Sequence, residues 1–346
     1  MGMAAAEIRL SWQSDEKGRS VNKRERVLNA LNNRPVDHVP VGFWFHFSGE
    51  EATGERNVQA HLNYYRQTDL DFLKVMSDGF FNYPFNVEIT EAHDWYGLEP
   101  LQPHDPWIEQ QVERVRDLVA AIGDERCVFY NVFAPLSYLR FGAEQVGRHF
   151  DRVVADLRED PNAVLHALDT IGQTASILAR RVIEEAGADG VYYCVQNGEK
   201  GLFTPEEHRR WVRPSDLYAL EHANRYSDNN IVHFCGFAGK ENQLELWQDY
   251  PGKAVNWAVH VDDLSLNDGR LFFGGRASLA GFETHWDANG HRGIIYSGTK
   301  EELQQYTRDL ILDHGKHGLL LGGDCTIDAK LDWERIRWIV EAARSL

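Results

Sequence analysis

Basic residues are in short supply: 36 Lys and Arg stand against 53 Asp and Glu, for a formal charge of −17. Nucleic acid and anionic membrane surfaces both require a basic face, so neither is an expected partner. The chain also lacks any apolar run of the roughly 18 residues that a membrane span needs. Residues 1–20 are polar and mixed in charge rather than leader-like, and the expected address is the cytosol. Cysteine is scarce, with 4 residues and no paired spacing, which argues against a disulfide framework. In a reducing compartment such thiols are free or serve as metal ligands. No internal repeat, low-complexity tract or splitting linker is found. What remains is ordinary globular material, 43% hydrophobic and 12% aromatic.

That material is organised as apolar strands interleaved with amphipathic helices. Residues 1–20 read as an extension, and a single domain is expected from Val21 to Leu346. The expected strands are His38–Phe45, Leu70–Met76, Cys127–Phe133, Gly190–Val195, Ile231–Gly236, Val255–Val259, Leu271–Gly275 and Leu319–Gly322. Helices are expected at Val21–Asn32, Val58–Gln67, Ile108–Ala121, Ala143–Ala186 with a break at Asp160-Pro161, Thr299–His314 and Trp333–Ala343. Thr204 with Glu207, and Thr299 with Glu302, read as capping boxes. A helix around Lys240–Trp247 is weakly marked. Eight such strands predict an α/β fold of the (β/α)8 TIM-barrel type. A doubly wound open sheet is the alternative, weakened because no Gly-rich dinucleotide fingerprint follows the first strand.

Within this frame one stretch carries chemistry, Ile231-Val232-His233-Phe234-Cys235-Gly236. Residues two apart on a strand share a face, so His233 and Cys235 present an imidazole and a thiol together. Cys325 follows the last strand in Gly322-Gly323-Asp324-Cys325. One nitrogen and two sulfurs suit zinc and leave a fourth position open for a reacting group. Strand-end cysteines also serve simply as packing. The barrel favours the ligand reading, because all three residues fall at C-terminal strand ends, where barrel chemistry sits.

The segment Lys23-Arg24-Glu25-Arg26-Val27-Leu28 through Pro35-Val36-Asp37-His38-Val39-Pro40-Val41 resembles the opening of the uroporphyrinogen decarboxylase superfamily. Gly187-Ala188-Asp189-Gly190, Thr204-Pro205-Glu206-Glu207 and Arg213-Pro214 extend the resemblance to roughly residues 21–344. It implies the same barrel. The His-x-Cys and later Cys are similar to the zinc triad of the superfamily's cobalamin-dependent methyltransferases, which pass a methyl group between a corrinoid and a thiol such as coenzyme M. Asp78 resembles the family aspartate that faces the substrate in decarboxylases, and is the implied catalytic residue; it also reads as a turn residue. The decarboxylases' arginine-rich motif after the first strand is missing, since Gly42–Gly49 holds no arginine. Decarboxylation of a porphyrinogen bearing many carboxylates is therefore disfavoured. No Asp-x-His-x-x-Gly corrinoid motif is present, so a corrinoid (methylcobalamin) is expected on a separate protein.

Candidate substrate-binding residues are Arg276, which follows the expected seventh strand, Gln196 and Asn197 after the fourth, and His46 after the first. Trp44, His46 and Tyr83 read either as an aromatic pocket or as core. Cys194 reads as a packed strand cysteine or as a further ligand. Three functions remain open: a zinc-dependent methyltransferase acting between a corrinoid and a thiol or methylated small molecule, a decarboxylase-like lyase acting on a tetrapyrrole or other carboxylic acid, and a non-catalytic zinc or small-molecule binding protein. A small-molecule substrate, a corrinoid protein and a second copy of the chain are the candidate partners.

Overall fold

A computed structural model describes residues 21–124, 126–236, 239–285 and 292–346. The expected extension at residues 1–20 lies outside the described residues. Seven parallel strands run in sequence order: β1 Phe72–Val75, β2 Cys127–Phe133, β3 Gly190–Val195, β4 Ile231–Phe234, β5 Ala254–Trp257, β6 Ala277–Phe282 and β7 Leu319–Gly323. Every residue of every strand is buried. That is the mark of a parallel sheet covered on both faces. Strand residues divide by parity between two packed layers. Phe72, Phe129, Tyr192, Ile231, Leu279 and Leu320 cluster with Trp44 in one. Their neighbours Leu73, Val128, Val191, Val232, Ala280 and Leu321 pack with the helices in the other.

The expected barrel is met in a coarser form, as a curled sheet that is only partly closed. In place of an eighth strand at His38–Phe45 there is one parallel bridge, Val41 to Leu321, flanked by Gly42 N to Leu321 O at 2.9 Å and Leu321 N to Pro40 O at 2.9 Å. Two features stop a longer ladder. Pro40 has no N–H to donate, and the Val41 N–H is taken by the Asp71 carboxylate at 2.8 Å. Asp71 N donates back to Val41 O at 2.9 Å, and Arg26 pairs with the same carboxylate at 2.7 Å. The seam toward β1 is thus held by a buried side chain.

The expected seventh strand is corrected. Leu266–Phe272 is a helix capped by Ser265, which accepts from Asp268 N, and Leu271 is 79% exposed. Gly274 and Gly275 both take positive φ, ending that helix. The strand begins after them, at Ala277. The apolar Leu-Phe-Phe run gives a stronger strand signal than Ala277-Ser278-Leu279-Ala280-Gly281, yet it is the latter stretch that is buried as the strand.

The remaining elements fall near their expected places. Lys23–Leu31, Gly54–Thr68, Pro106–Ile122, Lys300–His314 and Trp333–Arg344 are helices, and both capping boxes form. The long expected helix is three, Pro135–Gln145, Phe150–Glu159 and Pro161–Glu184, the last capped by Asp160. Lys240–Trp247 holds only a 3-10 turn at Leu244–Leu246. Among the described residues no helix is long and apolar enough to cross a membrane.

Candidate metal centre

His233 lies on β4 in register between Cys194 of β3 and Asn256 of β5. Cys235 follows the same strand, its N–H donating to Val195 O at 2.9 Å, so the extended backbone persists and the two side chains share a face. Gly236 permits the next turn: a Cβ there would stand 2.8 Å from the Ala258 Cβ. Cys325 is placed from below by Asp324. That carboxylate accepts from His260 N at 3.1 Å and His260 Nδ1 at 2.7 Å, while Asp324 N donates to Phe282 O at 2.9 Å. Cys325 N donates to Thr284 Oγ1 at 3.0 Å. The backbone on both sides of the thiol is therefore anchored.

The three residues meet, with one donor atom from each lying within 4.8 Å of the others. Cys235 Sγ is 3.7 Å from Cys325 Sγ, and Cys325 Sγ is 3.8 Å from His233 Nε2. A tetrahedral zinc with bonds of about 2.3 Å to sulfur and about 2.0 Å to nitrogen sets two sulfurs about 3.7–3.8 Å apart and a sulfur and a nitrogen about 3.5–3.6 Å apart. The donor set fits the ion in both chemistry and spacing. His233 Nδ1 is buried and has no hydrogen-bond partner among the described residues.

The thiols influence one another. Hydrogen bonding to Cys235, joined by His233 and His285, holds the Cys325 thiol well below the ordinary thiol range against the opposing effect of burial. Cys235 is pushed the other way by its hydrogen bonds to Cys194 and Cys325 and by burial. Such a cluster loses its first proton readily and its second with difficulty, which suits a cation that replaces the second.

These groups form part of the wall of a cavity of about 330 Å³, large enough for a small organic molecule. Trp44, Phe81, Phe133 and Phe141 make it largely aromatic. Of the sequence candidates, His46 and Gln196 line it, and the buried Gln196 Oε1 has no partner among the described residues. Trp44 lines it as well, whereas Tyr83 is core and hydrogen-bonds Thr174 Oγ1 at 2.9 Å. Cys194 lines the cavity and contacts Cys235, outside the three-donor group.

Three expected site residues stand elsewhere. Asp78 is 1% exposed behind the wall, accepting from His46 Nδ1 at 2.8 Å and from Phe47 N at 2.8 Å. It orients His46 rather than facing the cavity. Asn197 is buried with φ at 69°, its Oδ1 accepting from Arg140 at 3.0 Å, so it serves the turn. Arg276 is corrected outright. Because β6 starts at Ala277, Arg276 precedes the strand and sits at the opposite end of the sheet from the thiols. Its guanidinium donates to the carbonyls of Phe273, Gln248 and Tyr250.

Two ionisable lining residues escaped the sequence reading. His285 stands against Cys325, to which it hydrogen-bonds, and its buried Nε2 has no hydrogen-bond partner among the described residues. It was hidden by the misplaced β6, whose C-terminal end lies just before it. Lys74 is the other. It sits mid-strand on β1, 5% exposed, with Nζ 3.8 Å from the ring centroid of Tyr192 and 4.6 Å from that of Trp44. Its signal is a single cation two residues from each of Phe72 and Met76, which parity turns inward with them.

A curled parallel α/β sheet with soft ligands gathered at the C-terminal ends of its strands defines a barrel-type protein with a metal-ready mouth. The chain belongs to the uroporphyrinogen decarboxylase (URO-D) family, whose sequence profile matches residues 83–346. A search of curated proteins found no match. Among solved structures, a methyltransferase from Methanosarcina mazei superposes with a TM-score of 0.73 at 14% identity, covering 94% of this chain and 99% of its own. A B12-independent methionine synthase from a Shewanella species superposes with a TM-score of 0.54 at 11% identity, covering 89% of this chain and 97% of its own. A β-1,4-mannanase from the sea hare Aplysia kurodai reaches 0.50 at 10% identity, covering 88% and 93%. At such identities these likenesses speak for the fold.

Proposed function

We propose that this protein is a zinc-dependent methyltransferase, acting on a small molecule and moving a methyl group between a corrinoid and a thiol. The observation that carries the reading is the His233, Cys235 and Cys325 donor set, spaced for a tetrahedral ion in the wall of the cavity. A methyltransferase and a methionine synthase among the fold neighbours agree with methyl transfer, though the second is B12-independent and lends nothing to the corrinoid. Zinc held there would bind a thiol at its open position and keep it as the nucleophilic thiolate near neutral pH.

The chain's own residues do the rest. The three donors fix the point at which sulfur reacts. The aromatic walls exclude water and hold an apolar carbon chain or methyl group. Asp78 fixes the tautomer of His46, leaving Nε2 as the free ring nitrogen at the cavity and able to take the proton of an incoming thiol. The corrinoid would arrive on a separate protein. The working unit would be one (β/α)8 barrel domain over residues 21–346 in which the Val41 segment stands as the first stave, in the cytosol and as a monomer or homodimer.

The lyase alternative has less support, since Asp78 is turned to His46 and Phe47, and among the described residues no arginine lines the cavity. The test is metal analysis of protein purified without added zinc, followed by methylcobalamin-dependent methylation of a small thiol. Near one zinc per chain with thioether formation is expected. Absence of metal together with release of carbon dioxide from a carboxylic acid would replace this reading with the lyase.

A further inference from the structure

Lys74 poses a problem of charge. Its ammonium lies between two aromatic faces, and no carboxylate pairs with it among the described residues. Tyr192 supplies no negative charge, since its hydroxyl keeps its proton and donates it to Asn256 Oδ1 at 2.6 Å. A buried cation without an anion is costly. Burial indeed draws Lys74 down to about 8, opposed by the nearby sulfurs of Cys194, Cys325 and Cys235 and then by Asp78. The lysine nonetheless remains largely protonated at neutral pH. Tyr192 also ties it to the donor set, for the same ring lies 5.3 Å from the His233 ring, centroid to centroid.

The charges then add up in a particular way. A divalent cation with two thiolates and one neutral imidazole is neutral overall. A third thiolate makes the group anionic, and in a low-dielectric cavity that excess charge is unfavourable unless a cation faces it. Lys74 supplies that cation on the cavity wall.

We propose that Lys74 is the counter-ion of the incoming substrate sulfur, so that the open ligand position selects an anionic thiolate over a neutral ligand. This deepens the zinc-methyltransferase reading and rests on it. The titratable groups on the same cavity are Cys194 of β3, His233 and Cys235 of β4, His46, His285 and Cys325, with Asp78 behind His46.

The experiment uses full-length protein carrying cobalt(II) in place of zinc, as wild type, Lys74→Met and Lys74→Arg. Folding is checked by circular dichroism and metal content by elemental analysis. Binding of 2-mercaptoethanol, a thiol with no other charged group, is followed by sulfur-to-cobalt charge-transfer absorbance, with imidazole as the neutral competitor ligand. Lys74→Met is expected to weaken thiol binding on the order of tenfold at pH 7 and to move its pH midpoint upward, with imidazole affinity unchanged. Lys74→Arg should restore most of the loss. Equal thiol binding in Lys74→Met and wild type overturns the proposal while leaving the metal reading intact. Equal weakening of thiol and imidazole assigns Lys74 a packing role and overturns it too. A wild type that takes up no metal brings down both readings.

Discussion

Removing Cys325 separates a ligand from a packing residue. Its side chain is only partly buried, and its backbone is held independently by Thr284 and by Asp324. Cys325→Ala should therefore keep the fold, cost about 1–2 kcal/mol apart from metal linkage, and lose stoichiometric zinc and methyl transfer. Denaturant titration and metal analysis on one preparation check this, and full zinc retention would make Cys325 a packing residue. Asp78 and His46 should part in the same assay. Asp78→Ala strands the buried Phe47 N–H and is expected to cost about 2–4 kcal/mol, whereas His46, with 46% of its side chain exposed, should cost under about 1 kcal/mol. The three donors were legible in the sequence because softness and strand parity are local properties. The division of labour between His46 and Asp78 was not, because it depends on two segments 31–32 residues apart meeting, the one after β1 and the one holding His46 and Phe47. Lys74 was legible in principle, but the run Leu70–Met76 was read for its apolar content, and one cation in such a run looks like noise until parity places it.

Elements were readable where end signals are chemical and misread where only hydrophobicity guided the choice. Both capping boxes formed, since a Thr hydroxyl and a Glu carboxylate satisfy orphan N–H groups whatever the tertiary context. β6 was missed because Ala277, Ser278, Ala280 and Gly281 carry little apolar signal, while the exposed Leu271 before it carries a strong one. The helix Arg213–Ala223 offers a test of its own through Asp216. Burial pushes this carboxyl up to about 8, opposed by the hydrogen bond that Tyr250 donates at 3.1 Å. Its folded value lies above its unfolded value, so between about pH 4 and 8 the folded chain holds a proton that the unfolded chain has released. Stability from this group is complete below pH 4 and is lost as pH rises through that window. Asp216→Asn should flatten the decline, by an amount on the order of a few kcal/mol, in melting temperatures taken from pH 5 to 8. An unchanged slope would show that Asp216 is ionised in the fold.

At the scale of the whole molecule, an acidic chain repels an anionic substrate at long range, so attraction must come from a cation inside the cavity, which is where Lys74 stands. The α/β character could be read along the chain because each strand pairs with the next one in sequence, and the family could be read from short local segments such as Thr204–Glu207. Incomplete closure could not, since it turns on one proline and one carboxylate meeting across the seam. That seam also bears on the order of folding events. Val41 and Leu321 come from opposite ends of the described chain and share a single bridge, whereas β2 and β3 share a five-residue register. Contacts so distant in sequence form late and open early. The donors, however, sit on β4 and beyond β7, which remain joined through β5 and β6 when the seam parts. In hydrogen exchange, the amides of Gly42 and Leu321 should exchange well before those of β2 to β4. Added zinc should protect the amides around Cys235 and Cys325 and leave the Gly42 amide as it was. The protein would then breathe along one edge without releasing a metal held at the thiols.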